Sequence, residues 1–159
     1  MELVTYSRYP LERPNKTEIV TAEGIGMDHL GIDPRITTFL RENWGIEEFF
    51  PPQLEALPIV LDGKSLMLTI PTASGKSLVA YIGLINRLIG DMEGMRGVYV
   101  VPLKALASEK FDDLKEIARS VGLSVGLATG DRGSESIGLE DSDILVCTSE
   151  KLDSILRTK

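Results

Sequence analysis

Residues 66–85, LMLTIPTASGKSLVAYIGLI, constrain the fold more than any other stretch. They open on an apolar run, pass through a turn of small residues to Gly75-Lys76-Ser77, and enter an apolar helical pattern at once. A strand leading into a helix across a glycine turn puts free backbone N–H groups and a positive dipole end at one point, which suits an anion. Gly75 lets those N–H groups turn inward with no Cβ in the way. Lys76 reaches outward to terminal phosphates, and the Ser77 hydroxyl is placed to ligate Mg²⁺. The phosphate-loop pattern is G-x-x-x-x-G-K-[ST]. Here the window is Ile70, Pro71, Thr72, Ala73, Ser74, Gly75, Lys76 and Ser77, so the first glycine is replaced. A polar turn with a merely solvated lysine is the competing reading, and the strand-and-helix setting argues against it.

The surrounding chain predicts α/β architecture. With 159 residues and 43% hydrophobic content, it is about one domain long. DPRITTFLRENWGI predicts a helix capped by Asp33, with Pro34 at its first position and Gly45 at its end. Ile36, Phe39, Leu40 and Trp44 share one face of it. A second helix restarts near Gln53 and ends near Gly63. Strands are expected at 65–70 (buried), 97–102, 124–130 and 143–147, and a short one at EIVTA, 18–22. Helices are expected at 75–89, at 104–122 with Gly122 as the stop, and at 149–157. Strands alternating with helices imply βαβ units and a mostly parallel sheet covered on both faces.

Composition excludes several classes. The net charge of −7 argues against nucleic-acid binding by bulk positive field, though not against a local site of a few amides and lysines. His29 is the only histidine and Cys147 the only cysteine, so a zinc site is not expected. Cys147 sits in an apolar run and reads as a core residue. No apolar run reaches membrane-span length. A soluble, cytoplasmic chain is expected.

Four further stretches join the loop in order. FFPPQLEAL (49–57) holds Gln53, whose amide offers the donor and acceptor that match an adenine edge. VVPLKALASEK (100–110) ends a strand at Pro102 and Leu103 and starts a helix at Lys104. ATGD (128–131) ends a strand at Thr129 and Gly130. CTSEK (147–151) does so at Thr148 and Ser149, followed by Lys151. Alone, Gln53 reads as a helix-start glutamine facing water, and each of the other stretches as a helix cap or turn.

Together they resemble the Q motif and motifs I, Ia and Ib of superfamily 2 helicases. PPQLEAL, IPTASGKS, PLKALASEK and TSEKLDSILR are most similar to archaeal Hjm-type DNA repair helicases of the Ski-like group. The resemblance covers about residues 30–157, and Ser77 replaces the usual threonine. It implies a RecA-like P-loop NTPase domain, ATP and Mg²⁺ as cofactors, and Gln53 and residues 70–77 as the nucleotide site. Lys76 and Ser77 would carry the catalysis. It further implies that Pro102, Leu103, Lys104, Thr129, Gly130, Thr148, Ser149 and Lys151 contact single-stranded or forked DNA, with RNA as an alternative. The implied activity is ATP-driven translocation and unwinding, in repair or recombination.

The family's acidic box, which serves the metal and the attacking water, has no counterpart here. Asp112 and Asp113 fall in a helix, and Asp141 and Asp143 precede a strand. The expectation is therefore an incomplete first RecA-like domain at 26–159, an arm at 1–25, and a second RecA-like domain outside the chain. On that reading these residues alone do not hydrolyse ATP. A non-catalytic nucleotide-binding module and a small-molecule kinase are the rival classes.

Overall fold

The structure is a computed structural model that describes residues 2–5, 27–71, 74–130, 136–137 and 141–157. It divides into two compact units, Met1–Gly83 and Leu84–Lys159.

In the first unit, strand β1 (Glu2–Thr5) precedes a 3-10 turn (Met27–His29) and helices α1 (Pro34–Trp44) and α2 (Pro51–Leu61). Strand β2 (Leu66–Thr69) and the start of helix α3 (Lys76–Leu88) follow. Helix α1 begins and ends as the sequence predicts. The Asp33 side chain accepts from the Arg35 N–H at 2.9 Å, Pro34 follows it, and Gly45 at φ 63° sends its N–H back to the Leu40 carbonyl. Ile36 and Leu40 are fully buried, and Phe39 meets Trp44 edge to face at 5.4 Å.

Helix α2 starts with Pro51 and Pro52, which carry no N–H to leave unpaired. The N–H groups of Gln53 and Leu54 bond the Phe50 carbonyl at 2.8 and 3.1 Å. The Phe50 N–H goes to Gln53 Oε1 at 2.8 Å. The opening of α2 is thus satisfied by its own first turn.

One expectation for this unit changes, and one strand is added. Strand β2 pairs in parallel with β1, from Glu2↔Leu66 to Thr5↔Thr69, a partner that sequence periodicity did not mark. The strand expected at 18–22 lies outside the described residues. Nor is β2 buried: its exposure alternates, and Met67 is 51% exposed. β1 is its one strand partner among the described residues.

The second unit holds β3 (Gly97–Val101), α4 (Lys104–Arg119), β4 (Val125–Ala128), β5 (Ser136–Ile137), β6 (Ile144–Thr148) and α5 (Ser149–Arg157). The sheet order is β3-β6-β4-β5. β3, β6 and β4 run parallel, with Val101↔Thr148 and Ala128↔Cys147 near their C-terminal ends. The two-residue β5 adds an antiparallel edge that the sequence did not signal. All five residues of β6 are buried, as a central parallel strand requires. Cys147 is fully buried beside Ala128 and Leu145, with Leu152 and Ile155 of α5 packed on them. Burial raises its thiol pKa, consistent with a core residue. Helix α4 lies against β3, β4 and β6. It ends at Arg119 rather than Gly122, because Ser120 to Gly122 form a turn in which Gly122 takes φ 85°.

Candidate functional site

The first site forms where β2 gives way to α3. Gly75 takes φ 74°, a conformation that favours glycine, and Lys76 opens α3. The Lys76 ammonium donates to the carbonyls of Ile70 and Pro71 at 2.5 and 2.8 Å, so it lies across the mouth of its own loop. Ser74, Gly75, Lys76 and Ser77 are half-buried. Thr72 and Ala73 lie outside the described residues.

Gln53 is where α2 meets this loop. It is only 3% exposed, which overturns the water-facing alternative for an N-terminal helix glutamine. Besides accepting from Phe50, its Nε2 donates to the Gly75 carbonyl at 3.2 Å. A Cβ built on Gly75 would overlap that Nε2. Glycine at 75 is therefore required twice, for its φ and for the amide seated against it. A primary amide has two N–H donors and two lone pairs. Among the described residues one of each is used, by the Gly75 carbonyl and the Phe50 N–H.

These residues fit a nucleotide phosphate and its Mg²⁺. The loop joins a glycine with positive φ, a helix N-terminus and an ammonium already turned into the loop. Among the described residues no three of His, Cys, Asp and Glu come together to hold a metal. Ser77 and phosphate oxygens would have to hold it.

The second site lies wholly within the second unit. Because β3, β6 and β4 are parallel and adjacent, their C-terminal ends reach the same edge of the sheet. A cavity of about 510 Å³ opens there, lined by Pro102, Leu103, Lys104, Gly130, Thr148, Glu150, Lys151 and Ser154. Helices α4 and α5 both begin at this edge. No side chain caps α4, so its first N–H groups are left to other partners.

Of the eight residues that the resemblance assigned to nucleic acid, six line the cavity. Thr129 is buried, and Ser149 is exposed without lining it. The Thr148 hydroxyl accepts from the Lys151 N–H at 3.4 Å, a helix-capping role, and is nearly buried. Glu150 and Ser154 were not singled out from the sequence. Their i, i+4 spacing puts them on one face of α5, with Lys151 beside Ser154 at i, i+3, and that periodicity was the available signal.

A strand, a glycine turn and a Lys-Ser helix start, with parallel strands ending on a common edge, define a P-loop α/β domain. The chain belongs to the DEAD/DEAH box helicase family, which residues 50–159 match. It is 50% identical over 129 residues to the ATP-dependent DNA helicase Hel308 of Pyrococcus abyssi, covering 80% of this chain and 18% of that protein. Against Hel308 of Thermococcus kodakarensis it is 52% identical over 132 residues, covering 82% and 11%. The chain thus spans less than a fifth of the length of these relatives. Among solved structures, the RNA-helicase Prp28 from Chaetomium thermophilum bound to ADP superposes with TM-score 0.72 at 20% identity, covering 86% of this chain and 35% of that one. The DUF1998 helicase MrfA bound to DNA does so at 0.64 and 29%, covering 79% and 18%. The fold is that of RecA-like helicase domains, as the motif order implied. No helix among the described residues is long and apolar enough to cross a membrane.

Proposed function

We propose that this chain binds ATP with Mg²⁺ at residues 70–77 and Gln53, and holds the backbone of single-stranded DNA in the cavity at 102–104, 130 and 148–154. On this reading residues 26–159 belong to the first RecA-like domain of a cytoplasmic DNA helicase that acts on single-stranded or forked DNA in repair or recombination. Glu2–Thr5 pair with the strand that leads into the phosphate loop and so belong with this domain instead of forming a separate arm. A second RecA-like domain completes the machine. The observation that carries the reading is the family match over residues 50–159, which contains both sites whole. DNA is favoured over RNA because the relatives at about half identity are DNA helicases.

ATP supplies the driving force when bound; the chain's own residues arrange it. The Lys76 ammonium, held by the Ile70 and Pro71 carbonyls, exchanges them for phosphate oxygens. The Ser77 hydroxyl would ligate the metal that accompanies the phosphates. Gln53 offers adenine its remaining donor and acceptor while still bonded to Gly75, so base and loop share one amide. In the second unit, the uncapped start of α4 and the start of α5 present N–H groups to a phosphodiester, with Lys104 and Lys151 adding charge.

Lys76→Ala should weaken binding of a fluorescent ATP analogue by at least about tenfold, with far-UV circular dichroism unchanged. Unchanged affinity in that variant rejects the nucleotide site. Single-stranded DNA and RNA of the same base sequence, titrated at low salt, test the second half. Tighter DNA binding is expected, and an RNA preference would move the reading to an RNA helicase.

A further inference from the structure

Gly130 follows the C-terminal end of β4 and takes φ 66°. A Cβ built there would overlap the Lys104 ammonium and crowd its Cε. Both residues line the 510 Å³ cavity. Lys104 is the first residue of α4, just after the end of β3, and its ammonium reaches Gly130, just after the end of β4. It makes no ion pair with a described residue. A lysine side chain is long and freely rotating, and an exposed one ordinarily extends into water. Here its head sits beside Gly130 in the cavity lining, in space that a side chain at 130 would fill.

We propose that Gly130 is a positioning residue for strand binding. It acts through Lys104, by seating the ammonium over the cavity where a backbone phosphate is to be met. This rests on the reading of the cavity as a strand-backbone site, and it adds a cause for the glycine beyond the turn it makes. A side chain at 130 pushes the flexible lysine head aside. The positive φ adds backbone strain, least for asparagine. The strand then loses the Lys104 contact although Lys104 is still present.

The test is a cycle of variants in the 159-residue chain: Lys104→Ala, Gly130→Ala, and the two together. Gly130→Asn is included because asparagine tolerates positive φ while still carrying a Cβ. Strand affinity is measured by fluorescence anisotropy across a salt series. Lys104→Ala should weaken single-stranded DNA binding by about threefold to tenfold and lower the salt slope by about 0.7, as expected for one lost phosphate contact. Gly130→Ala and Gly130→Asn should each reproduce that loss and that slope, and the double variant should lose no more than either single. In ¹H–¹³C spectra without any strand, the Lys104 ε-methylene signal should shift in both glycine variants and narrow toward that of a free lysine.

If Lys104→Ala binds strands as the wild type does, the strand-site reading fails, and this proposal fails with it. If Lys104→Ala weakens binding but the glycine variants do not, only the proposal is overturned. Losses that add in the double variant, or an unmoved ε-methylene signal in Gly130→Asn, overturn it as well.

Discussion

At the scale of single residues, the same device occurs in both units. A glycine with positive φ follows a parallel strand, and a polar head group from a helix start occupies the place of its Cβ: Gln53 against Gly75, and Lys104 against Gly130. Gln53 is the more constrained of the two, because the residue is 3% exposed and its amide is bonded at both ends. Gln53→Glu separates those ends. One carboxylate oxygen still accepts from the Phe50 N–H, but the other faces the Gly75 carbonyl, acceptor against acceptor. Burial raises the pKa of such a carboxyl. Once protonated, it donates to Gly75 and restores the wild-type pattern. Its stabilising form is therefore complete below the ordinary glutamate range and lost as pH rises through the raised pKa. The variant should be about 1–3 kcal/mol less stable than wild type in urea unfolding at pH 8, with the gap narrowing by pH 5.5. A gap independent of pH would show that the amide is not held as described.

At the scale of elements, the N-terminal ends of β3, β4 and β6 are tied by a small polar cluster on the side away from the cavity. The Asp143 carboxylate accepts from the Ser124 N–H at 2.8 Å and from its hydroxyl at 2.7 Å. The Ile144 N–H returns to the Ser124 carbonyl, and the Gly97 N–H bonds the Asp143 carbonyl. Arg96 donates to the Ser142 carbonyl at 2.6 Å. The Ser124 backbone N–H, then its hydroxyl, hold the Asp143 pKa below the ordinary carboxylate value. A depressed folded-state pKa adds stability above the unfolded value, near 3.9, and that stability is lost as pH falls through the folded one. Asp143→Asn keeps the shape without the charge. It should cost about 1 kcal/mol or less at pH 7, since the group is partly exposed, and should flatten the loss of stability below pH 4. Equal acid sensitivity in both proteins would remove Asp143 from the account. None of this cluster was legible in the sequence, where Asp141 and Asp143 were weighed only as metal ligands. By contrast α1, α5 and the parallel core of the second unit were legible, because caps and apolar period are local signals. The pairing of β1 with β2 and the antiparallel β5 were not. A strand of four residues, or of two, is decided by the edge it finds and not by its own pattern. Six cavity residues were found through motif order, while Glu150 and Ser154 needed the helix face to be placed first.

At the scale of the molecule, a polypeptide of these 159 residues should fold and bind nucleotide without hydrolysing it. Folding follows from what each unit holds. The second unit has a four-stranded sheet with a wholly buried central strand, and the first buries Ile36, Leu40, Ala56 and Leu57 on its helices. Binding follows from the loop at β2 and α3. Hydrolysis needs three further things. A carboxylate must help to hold Mg²⁺, yet the described residues bring no acidic cluster together to do so. A base must orient the attacking water. A cation must offset charge growing on the γ-phosphate, a contribution worth about 10³–10⁵ in rate where an arginine provides it. The measurement is phosphate release by the purified chain with Mg²⁺ and single-stranded DNA, beside Lys76→Ala. Both should match the buffer blank, while the wild type alone retains the fluorescent nucleotide. Strand-stimulated release that disappears in Lys76→Ala would refute this. The catalytic acid would then lie among these residues, and Asp131, in the segment after Gly130, is the first carboxylate to replace.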